Sequence, residues 1–269
     1  MESAKLYFIA QRFFIDSEIL NINMINHGLI NKTYIVEHIY DGIKSKFILQ
    51  SLSNIFDSRD IVNMNHKLVT DHIKKKINKY YFDFDINKWV VPNLIRCKSN
   101  NLYCFPFESE YWRAMEYIGE AFSLDYLEDE KMAHQTGIGL AKFHLLSSDL
   151  DSSKLGNSIK NFHDTSYYIN KYNIILKEYD FTKLDNEVKI RIQELIKVLS
   201  NHLPFVNSLL KSLSKESIDN NVIHGDPKLS NFLFDVQYKH VVSLVDLDTV
   251  SSGYQLTDLA DCIRSICNL

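Results

Sequence analysis

The stretch Asn221-Val-Ile-His-Gly-Asp-Pro-Lys-Leu-Ser-Asn-Phe-Leu-Phe-Asp235 decides the fold of this chain. It consists of two short apolar runs on either side of a polar loop. Short apolar runs bounded by turn-forming residues are typical of strands. The loop carries His224, Asp226, Lys228 and Asn231. The sequence therefore predicts two strands joined by a loop rich in groups that can bind or react with a ligand.

A second apolar run, Val241-Val-Ser-Leu-Val-Asp-Leu-Asp-Thr249, ends in the carboxylates Asp246 and Asp248. In phosphate transfer from a nucleotide, a carboxylate orients the attacking hydroxyl and accepts its proton, while an amide oxygen and another carboxylate hold Mg²⁺ against the phosphate oxygens. Asp226 fits the first role. Asn231 and Asp246 fit the role of metal ligands. The loop and the end of this strand therefore predict a site of phosphate transfer.

Composition restricts the class of protein. The chain has 269 residues, of which 45% are hydrophobic and 24% charged. These values are typical of a globular protein with two domains, or with one large domain divided by a cleft. A net charge of −4 gives no general attraction to a polyanion, so nucleic acid is not an expected partner. No apolar run long enough for a membrane span and no signal-peptide pattern are present, and the four cysteines match neither a zinc nor a disulfide pattern. We expect a cytoplasmic protein with reduced thiols and no membrane partner.

Hydrophobic periodicity predicts two parts of different character. An amphipathic helix over residues 6–14 is followed by strands, a helix and further strands, which is an α+β arrangement, and the second half is mainly helical. The predicted strands are residues 29–37, 46–49, 102–107 and 111–118, and the predicted helices are residues 58–76, 130–146 and 188–213, the last interrupted by Pro204. We place the boundary between the parts at residue 118, giving domains of residues 1–118 and 119–269.

These residues resemble a known family, the aminoglycoside phosphotransferase-like kinases, whose catalytic loop reads H-G-D-x-x-x-x-N. Four other phrases are similar to the N-acetylhexosamine 1-kinase branch: Phe47-Ile-Leu-Gln50, Tyr111-Trp-Arg-Ala-Met-Glu-Tyr-Ile-Gly119, Asp246-Leu-Asp-Thr-Val250 and Asp258-Leu-Ala-Asp-Cys-Ile-Arg264. The resemblance spans nearly the whole chain. It implies the two-lobed fold of protein kinases, with an antiparallel sheet in a small N-terminal lobe and a mainly helical C-terminal lobe. Related kinases continue with further helices, so the resemblance also implies a fold shortened at the C-terminus.

The resemblance implies an activity and its catalytic residues. The activity is ATP- and Mg²⁺-dependent transfer of the γ-phosphate to a hydroxyl of a small molecule, an N-acetylhexosamine at its anomeric hydroxyl. Asp226 would be the catalytic base, and Asn231 and Asp246 would bind Mg²⁺. Residues 1–118 would bind the nucleotide, and residues 119–269 would carry catalysis and the acceptor.

The resemblance also implies which residues contact ATP. Tyr117 and Ile118 would form the hinge whose backbone meets the adenine. Asn31 and Thr33 lie in a turn, residues 27–33, that would cover the phosphates. Gln50 stands at the position where protein kinases carry the lysine that binds the nucleotide phosphates.

The small lobe departs from the protein-kinase pattern at that lysine. Protein kinases pair the strand lysine with a helix glutamate. Here the strand reads Leu49-Gln50-Ser51, and no glutamate occurs between Asp60 and Lys76. Lys46 or Lys32 is expected to supply the missing positive charge.

Three alternatives remain open at this point. The acceptor could be choline, homoserine or an aminoglycoside, because one fold serves many substrates. The departures in the small lobe also fit a kinase that binds nucleotide without turnover. Finally, Asp246-Leu-Asp248 fits a D-x-D metal motif of a glycosyltransferase that uses a nucleotide sugar. The oligomeric state is open as well.

Some neighbouring residues have structural interpretations. His224 is expected to brace the loop. Asp248 could be a second metal ligand or a hydrogen-bonding group of the following turn. Asp258, Asp261 and Arg264 are spaced for plain ion pairing on a helix surface.

Overall fold

A computed structural model of the chain describes residues 2–25, 30–79, 89–215, 220–237 and 239–267. By its internal contacts the chain divides into two compact units, residues 1–160 with 220–269 and residues 161–219. The helices are α1 (Glu2–Phe13), α2 (Arg59–Lys79), α3 (Glu130–Ser147), α4 (Thr165–Glu178), α5 (Asn186–Lys215) and α6 (Gln255–Ile266). The strands are β1 (Glu18–Ile25), β2 (Lys32–Tyr40), β3 (Ile43–Leu52), β4 (Leu94–Ile95), β5 (Phe105–Phe107), β6 (Glu110–Glu116), β7 (Ala121–Phe122), β8 (Asn221–Ile223), β9 (Phe232–Asp235), β10 (Val241–Leu244) and β11 (Ser251–Gly253). Among the described residues, none of the helices is both long and apolar enough to cross a membrane.

An antiparallel sheet forms the N-terminal part of the first unit, in the order β1-β2-β3-β6-β4, with β5 also paired to β6. Asp41 and Gly42 connect β2 to β3 with φ of 51° and 75°, as a two-residue hairpin turn requires. The register places Thr33 opposite Gln50 and Gln50 opposite Arg113. Residues directly opposite each other share a face of the sheet, so these three side chains form a row across β2, β3 and β6.

The other face of this sheet packs against α1. Side chains alternate between faces along a strand, so the neighbours of Gln50 and Arg113 point away from that row. The buried cluster on this side consists of Leu6, Ile9, Ala10, Phe13, Tyr34, Val36, Phe47, Leu49, Cys97, Trp112 and Ala114. Each large apolar side chain buried here stabilises the fold by about 1.5–3 kcal/mol. The prediction that the first helix anchors the sheet is confirmed.

A second core lies around β8, β9 and β10. It includes Val69 and Ile73 of α2, Met132, Leu140 and Phe143 of α3, and Val222, Phe232, Phe234, Val241 and Leu244 of the strands. Gly139 allows α3 to approach β10 closely, because a Cβ on this glycine would lie 2.6 Å from Cγ1 of Val241. This core fixes the two strands that flank the polar loop.

The second unit contains α4 and α5. The predicted helix over residues 188–213 is confirmed, but Pro204 does not interrupt it and lies inside α5. Proline removes a single backbone donor, which this 30-residue helix tolerates. Helix α4 was not predicted.

Further differences lie in the sheet of the N-terminal part. Strand β1 was not predicted, because it is an edge strand with no buried side chain and its alternation is weak. The predicted strand over residues 102–107 is shorter in the structure, where β5 covers Phe105–Phe107. The predicted strand over residues 29–37 corresponds to β2, and its first residue lies outside the described residues. Strand β6 ends at Glu116, two residues before the predicted domain boundary, which stays a prediction.

Candidate active site

One cleft in the first unit brings the predicted site residues together. It has a volume of about 480 Å³. Its lining includes all eight of them: Asn31, Thr33, Gln50, Tyr117, Ile118, Asp226, Asn231 and Asp246. The start of the predicted turn, residues 27–29, lies outside the described residues. A second depression of about 620 Å³ at the start of α3 is lined by none of the eight. The placement agrees with one site, while the role of each residue stays a prediction.

The loop between β8 and β9 holds Asp226 and Asn231 side by side. The amide Nδ2 of Asn231 donates to the main-chain oxygen of Asp226 at 2.8 Å and lies 3.5 Å from its Oδ2. This bond uses the nitrogen of the amide, and within the described residues the Oδ1 of Asn231 accepts no hydrogen bond. That oxygen is therefore available to a ligand beside the Asp226 carboxylate.

His224 braces this loop, as expected. It is fully buried, its Nε2 donates to the carbonyl of Val245 at 2.9 Å, and its Nδ1 accepts from the N–H of Asp226 at 3.2 Å. Burial lowers the pKa of His224 below its ordinary value, so the ring is neutral and can donate on one side and accept on the other. The ring fixes the backbone at Asp226 and takes no part in the cleft.

We expected Asp258 to form an ion pair at the surface of α6, and the structure shows that this expectation was wrong. Its side chain is 0% exposed, and it accepts hydrogen bonds from the N–H of His224 at 2.7 Å, the N–H of Gly225 at 2.9 Å and Nε2 of His144 at 2.8 Å. Burial raises the pKa of Asp258, but these donors outweigh it and hold that pKa below its ordinary value. Asp261 and Arg264 do pair at the surface, at 2.8 Å. Sequence spacing alone could not show that Asp258 points into the core while Asp261 points to the surface.

Gly225 is required by the close approach of two chain segments. Its φ is +85°, and a Cβ at this position would lie 2.6 Å from the main-chain oxygen of Thr249. We expect Gly225→Ala to lower the free energy of unfolding by about 3 kcal/mol, because left-handed strain of about 1–2 kcal/mol adds to the clash. Gly42 has φ of +75° and open space around a Cβ, so Gly42→Ala should cost only about 1 kcal/mol. Urea denaturation of both variants tests this, and equal losses would contradict the role of the clash.

Asp246 follows β10 in a left-handed conformation, with φ of 65°. Lys228 lies between the two carboxylates of the cleft, because its Nζ is 2.7 Å from Oδ2 of Asp226 and 3.9 Å from Oδ2 of Asp246. Removal from water, followed by repulsion from Asp248, raises the pKa of Asp246 to about 7. The carboxylates of the cleft therefore lie close enough to repel each other, and a bound cation would reduce this repulsion.

Asp248 is held by protein donors on both of its oxygens. Arg113 donates from Nη2 to Oδ1, and Asn31 donates from Nδ2 to Oδ2 at 2.7 Å. Asp248 therefore pairs with two distant side chains, which the expectation of a turn residue did not include.

Arg113 is the site residue that sequence reasoning missed. It lines the cleft and is 1% exposed. We expected Lys46 or Lys32 to supply the positive charge, and the structure places neither of them in the lining of the cleft. Lys46 pairs with Glu37 at 2.8 Å and Lys32 with Glu110 at 3.4 Å. The available signal was a basic residue within an otherwise apolar strand segment, Trp112 to Met115.

The donor set of the cleft fits Mg²⁺. Within the part of the chain that the structure describes, no group of three or more His, Cys, Asp or Glu side chains could hold a metal by itself. Mg²⁺ is usually bound by one or two carboxylates, with the remaining oxygens supplied by water and substrate phosphates. The carboxylate of Asp246 and the amide oxygen of Asn231 match that type of site.

Three solved structures share the fold of this chain. A spectinomycin phosphotransferase in complex with ADP and spectinomycin is 13% identical, with a TM-score of 0.58, and the match covers 90% of this chain and 68% of that one. A choline kinase from Cryptosporidium parvum is 15% identical, with a TM-score of 0.53 and coverage of 98% and 69%. An ethanolamine kinase from Plasmodium vivax is 17% identical, with a TM-score of 0.51 and coverage of 91% and 60%. The predicted two-lobed, protein-kinase-like α+β fold is confirmed.

A family model described as the phosphotransferase enzyme family matches residues 84–268. The matched segment includes the whole loop from His224 to Asn231, both carboxylates after β10, and Arg113. Because this match spans more than half of the chain, the protein belongs to the phosphotransferase enzyme family, as the residues of its loop predicted.

Proposed function

We propose that this protein is an ATP- and Mg²⁺-dependent kinase that transfers the γ-phosphate to a hydroxyl of an N-acetylhexosamine, at the anomeric position. The observation that carries the proposal is the meeting of Asp226, Asn231 and Asp246 in one cleft of a member of the phosphotransferase enzyme family. A carboxylate, an amide oxygen and a second carboxylate are the groups that phosphate transfer from a nucleotide requires.

Asp226 acts as the base in this proposal. It lies in the cleft with its carboxylate held by Lys228, so it is oriented before a substrate enters. Asn231 and Asp246 would hold Mg²⁺, which when bound neutralises charge on the phosphate oxygens. Most of the rate would come from positioning and electrostatic stabilisation, because the protein does little covalent chemistry in this reaction.

The nucleotide is proposed to occupy the part of the cleft beside Tyr117 and Ile118. The walls there include Ile48, Met115 and Leu233, and apolar walls with a few polar groups suit a flat base. The spectinomycin phosphotransferase of the same fold was solved with ADP. ATP is the proposed donor on these grounds.

The proposed acceptor is based on the resemblance of four sequence segments to N-acetylhexosamine 1-kinases. The neighbours of known structure are named for spectinomycin, choline and ethanolamine, so proteins of this fold differ in their acceptors. Choline, homoserine and aminoglycosides therefore belong in the test. A cytoplasmic location stays a prediction, in keeping with four free cysteines.

The test is transfer of phosphate from Mg-ATP to a panel of N-acetylhexosamines, plain hexoses, choline, homoserine and aminoglycosides. Phosphorus NMR of the product identifies the hydroxyl that carries the phosphate. A 1-phosphate formed from an N-acetylhexosamine alone supports the full proposal, and transfer to another acceptor would replace only the proposed substrate. Binding of Mg-ATP without transfer to any acceptor would favour a kinase without turnover, and absence of nucleotide binding would refute the proposal.

The raised pKa of Asp246 leads to a prediction on stability. Because the folded-state pKa is about 7 against an ordinary 3.8, the charged carboxylate opposes folding, increasingly as the pH rises between these values. We expect Asp246→Asn to raise the melting temperature of the ligand-free chain at pH 8, with a smaller gain at pH 5, and to abolish the stabilisation by Mg-ATP. Thermal melts at both pH values test this. Asp41→Asn, in the exposed hairpin turn, serves as the control, and a variant destabilised at pH 8 would contradict the prediction.

A further inference from the structure

We propose that Arg113 supplies the fixed positive charge beneath the phosphates of the bound nucleotide, and that Asp248 serves as its anchor. The proposal rests on the proposed function, because it requires a nucleotide in the cleft. It assigns a binding role to a residue of β6, in a chain whose β3 carries Gln50 where protein kinases carry a lysine.

The position of Arg113 follows from the register of the sheet. Arg113 stands opposite Gln50, and Gln50 stands opposite Thr33. These three residues share one face of the sheet, and they line the same cleft as Asp226 and Asp246. The guanidinium therefore lies in the floor of the same cleft as the predicted base and metal ligand.

Its orientation is fixed by four hydrogen bonds. Nε and Nη2 donate to Oε1 of Gln50 at 2.9 and 2.6 Å, Nη2 also donates to Asp248, and Nη1 donates to Oδ1 of Asn63 at 3.3 Å. Gln50 is itself held, because its Nε2 donates to Thr33 at 2.9 Å. The guanidinium has five N–H groups, and one on Nη1 has no acceptor among the described residues. A cation held in place before binding is the arrangement that phosphate recognition favours.

Other cations do not take this role. Lys32 and Lys46 are 57% and 43% exposed and pair with glutamates outside the cleft. Lys228 lines the cleft, but it is held against Asp226 at 2.7 Å. Mg²⁺ held by Asn231 and Asp246 would offset the charge of Asp246, and the several negative charges of the phosphates would still favour a further cation. A charge in the buried floor is screened less than one at the surface.

A buried ion pair is by itself weak evidence for a ligand role, so the test must separate charge from folding. Arg113→Gln alone would leave Asp248 buried and unpaired, which can unfold the protein. The double variant R113Q/D248N removes both charges together and keeps hydrogen-bonding groups at both positions. Arg96→Gln, at an exposed arginine, is the matched control.

The experiment is isothermal titration calorimetry of the full chain with Mg-ATP, Mg-ADP and adenosine. We expect R113Q/D248N to lose at least about tenfold in affinity for the two phosphorylated ligands and to bind adenosine within about twofold of the wild type, because only the phosphates meet the charge. Asp248→Asn alone keeps the guanidinium but leaves its charge buried and unpaired, so circular dichroism first checks that this variant folds. A folded Asp248→Asn variant should keep more affinity for Mg-ATP than the double variant, because it retains the guanidinium.

The outcomes distinguish this proposal from the proposed function. Unchanged affinity of the double variant for Mg-ATP, or an equal loss for adenosine, would overturn the role of Arg113 and leave the kinase proposal standing. A wild-type chain that binds none of the three ligands would overturn both. Equal losses of Mg-ATP affinity in a folded Asp248→Asn variant and in the double variant would overturn the assignment of the charge to Arg113.

Discussion

Asp226→Asn is expected to lower the rate of phosphate transfer by about 10²–10⁴-fold, because general-base catalysis typically contributes that much and the amide cannot accept the proton. The amide oxygen can still accept a hydrogen bond from Lys228, which is 2.7 Å from the carboxylate in the wild type. The shape of the loop is therefore retained. Affinity for Mg-ATP should stay within about threefold, because the proposed metal ligands are unchanged.

The measurement combines single-turnover transfer with calorimetric binding of Mg-ATP. Asp41→Asn is the control, since Asp41 lies in an exposed turn and asparagine tolerates its positive φ of 51°. Loss of binding together with activity would mean that Asp226 serves the nucleotide rather than the acceptor. A rate within tenfold of the wild type would remove Asp226 from the role of base.

Asp258→Asn is expected to lower the free energy of unfolding by about 3 kcal/mol and the melting temperature by roughly 10 °C, with loss of activity. The carboxylate accepts from the N–H groups of His224 and Gly225 and from His144. In asparagine, an NH2 group replaces one of the two acceptor oxygens, and this new donor would face the donors that Asp258 now accepts from. The backbone immediately before Asp226 then loses its support.

Asp261→Asn on the same helix provides the control. Asp261 pairs with Arg264, whose side chain is 63% exposed, and exposed pairs contribute only about 0–1 kcal/mol. Thermal and urea denaturation of both variants measure the difference. Because the pKa of Asp258 is below its ordinary 3.8, its contribution is present above that pH and is lost as the pH falls through the folded value. Similar stability of the two variants would show that Asp258 does not brace the loop.

Local chain chemistry was enough to predict much of the fold. The hairpin at Asp41 and Gly42, the helices α1, α2, α3 and α5, and the strands on either side of the loop all follow from periodicity and turn residues. Strand β1 and helix α4 were not predicted, and no residue of either is buried. Hydrophobic patterning identifies elements that bury a face, so these two gave a weak signal.

The sequence by itself determined the centre of the candidate site. Asp226 and Asn231 lie within one loop, and Asp246 lies two residues after β10, the strand that pairs with β9. Short-range spacing and strand pairing therefore bring the three residues together. The loop motif also led to the family to which the chain belongs. These conclusions needed no knowledge of distant contacts.

Only the tertiary structure decided which groups Arg113 and Asp258 contact. Arg113 meets Asp248 across 135 positions of the chain, and Asp258 meets the N–H of His224 across 34. In the sequence, Arg113 is one of many basic residues, and Asp258 has the same spacing as a surface carboxylate. Whether such a side chain points into a cleft, into the core or into water depends on strand register and helix packing, because those set which distant groups become its neighbours.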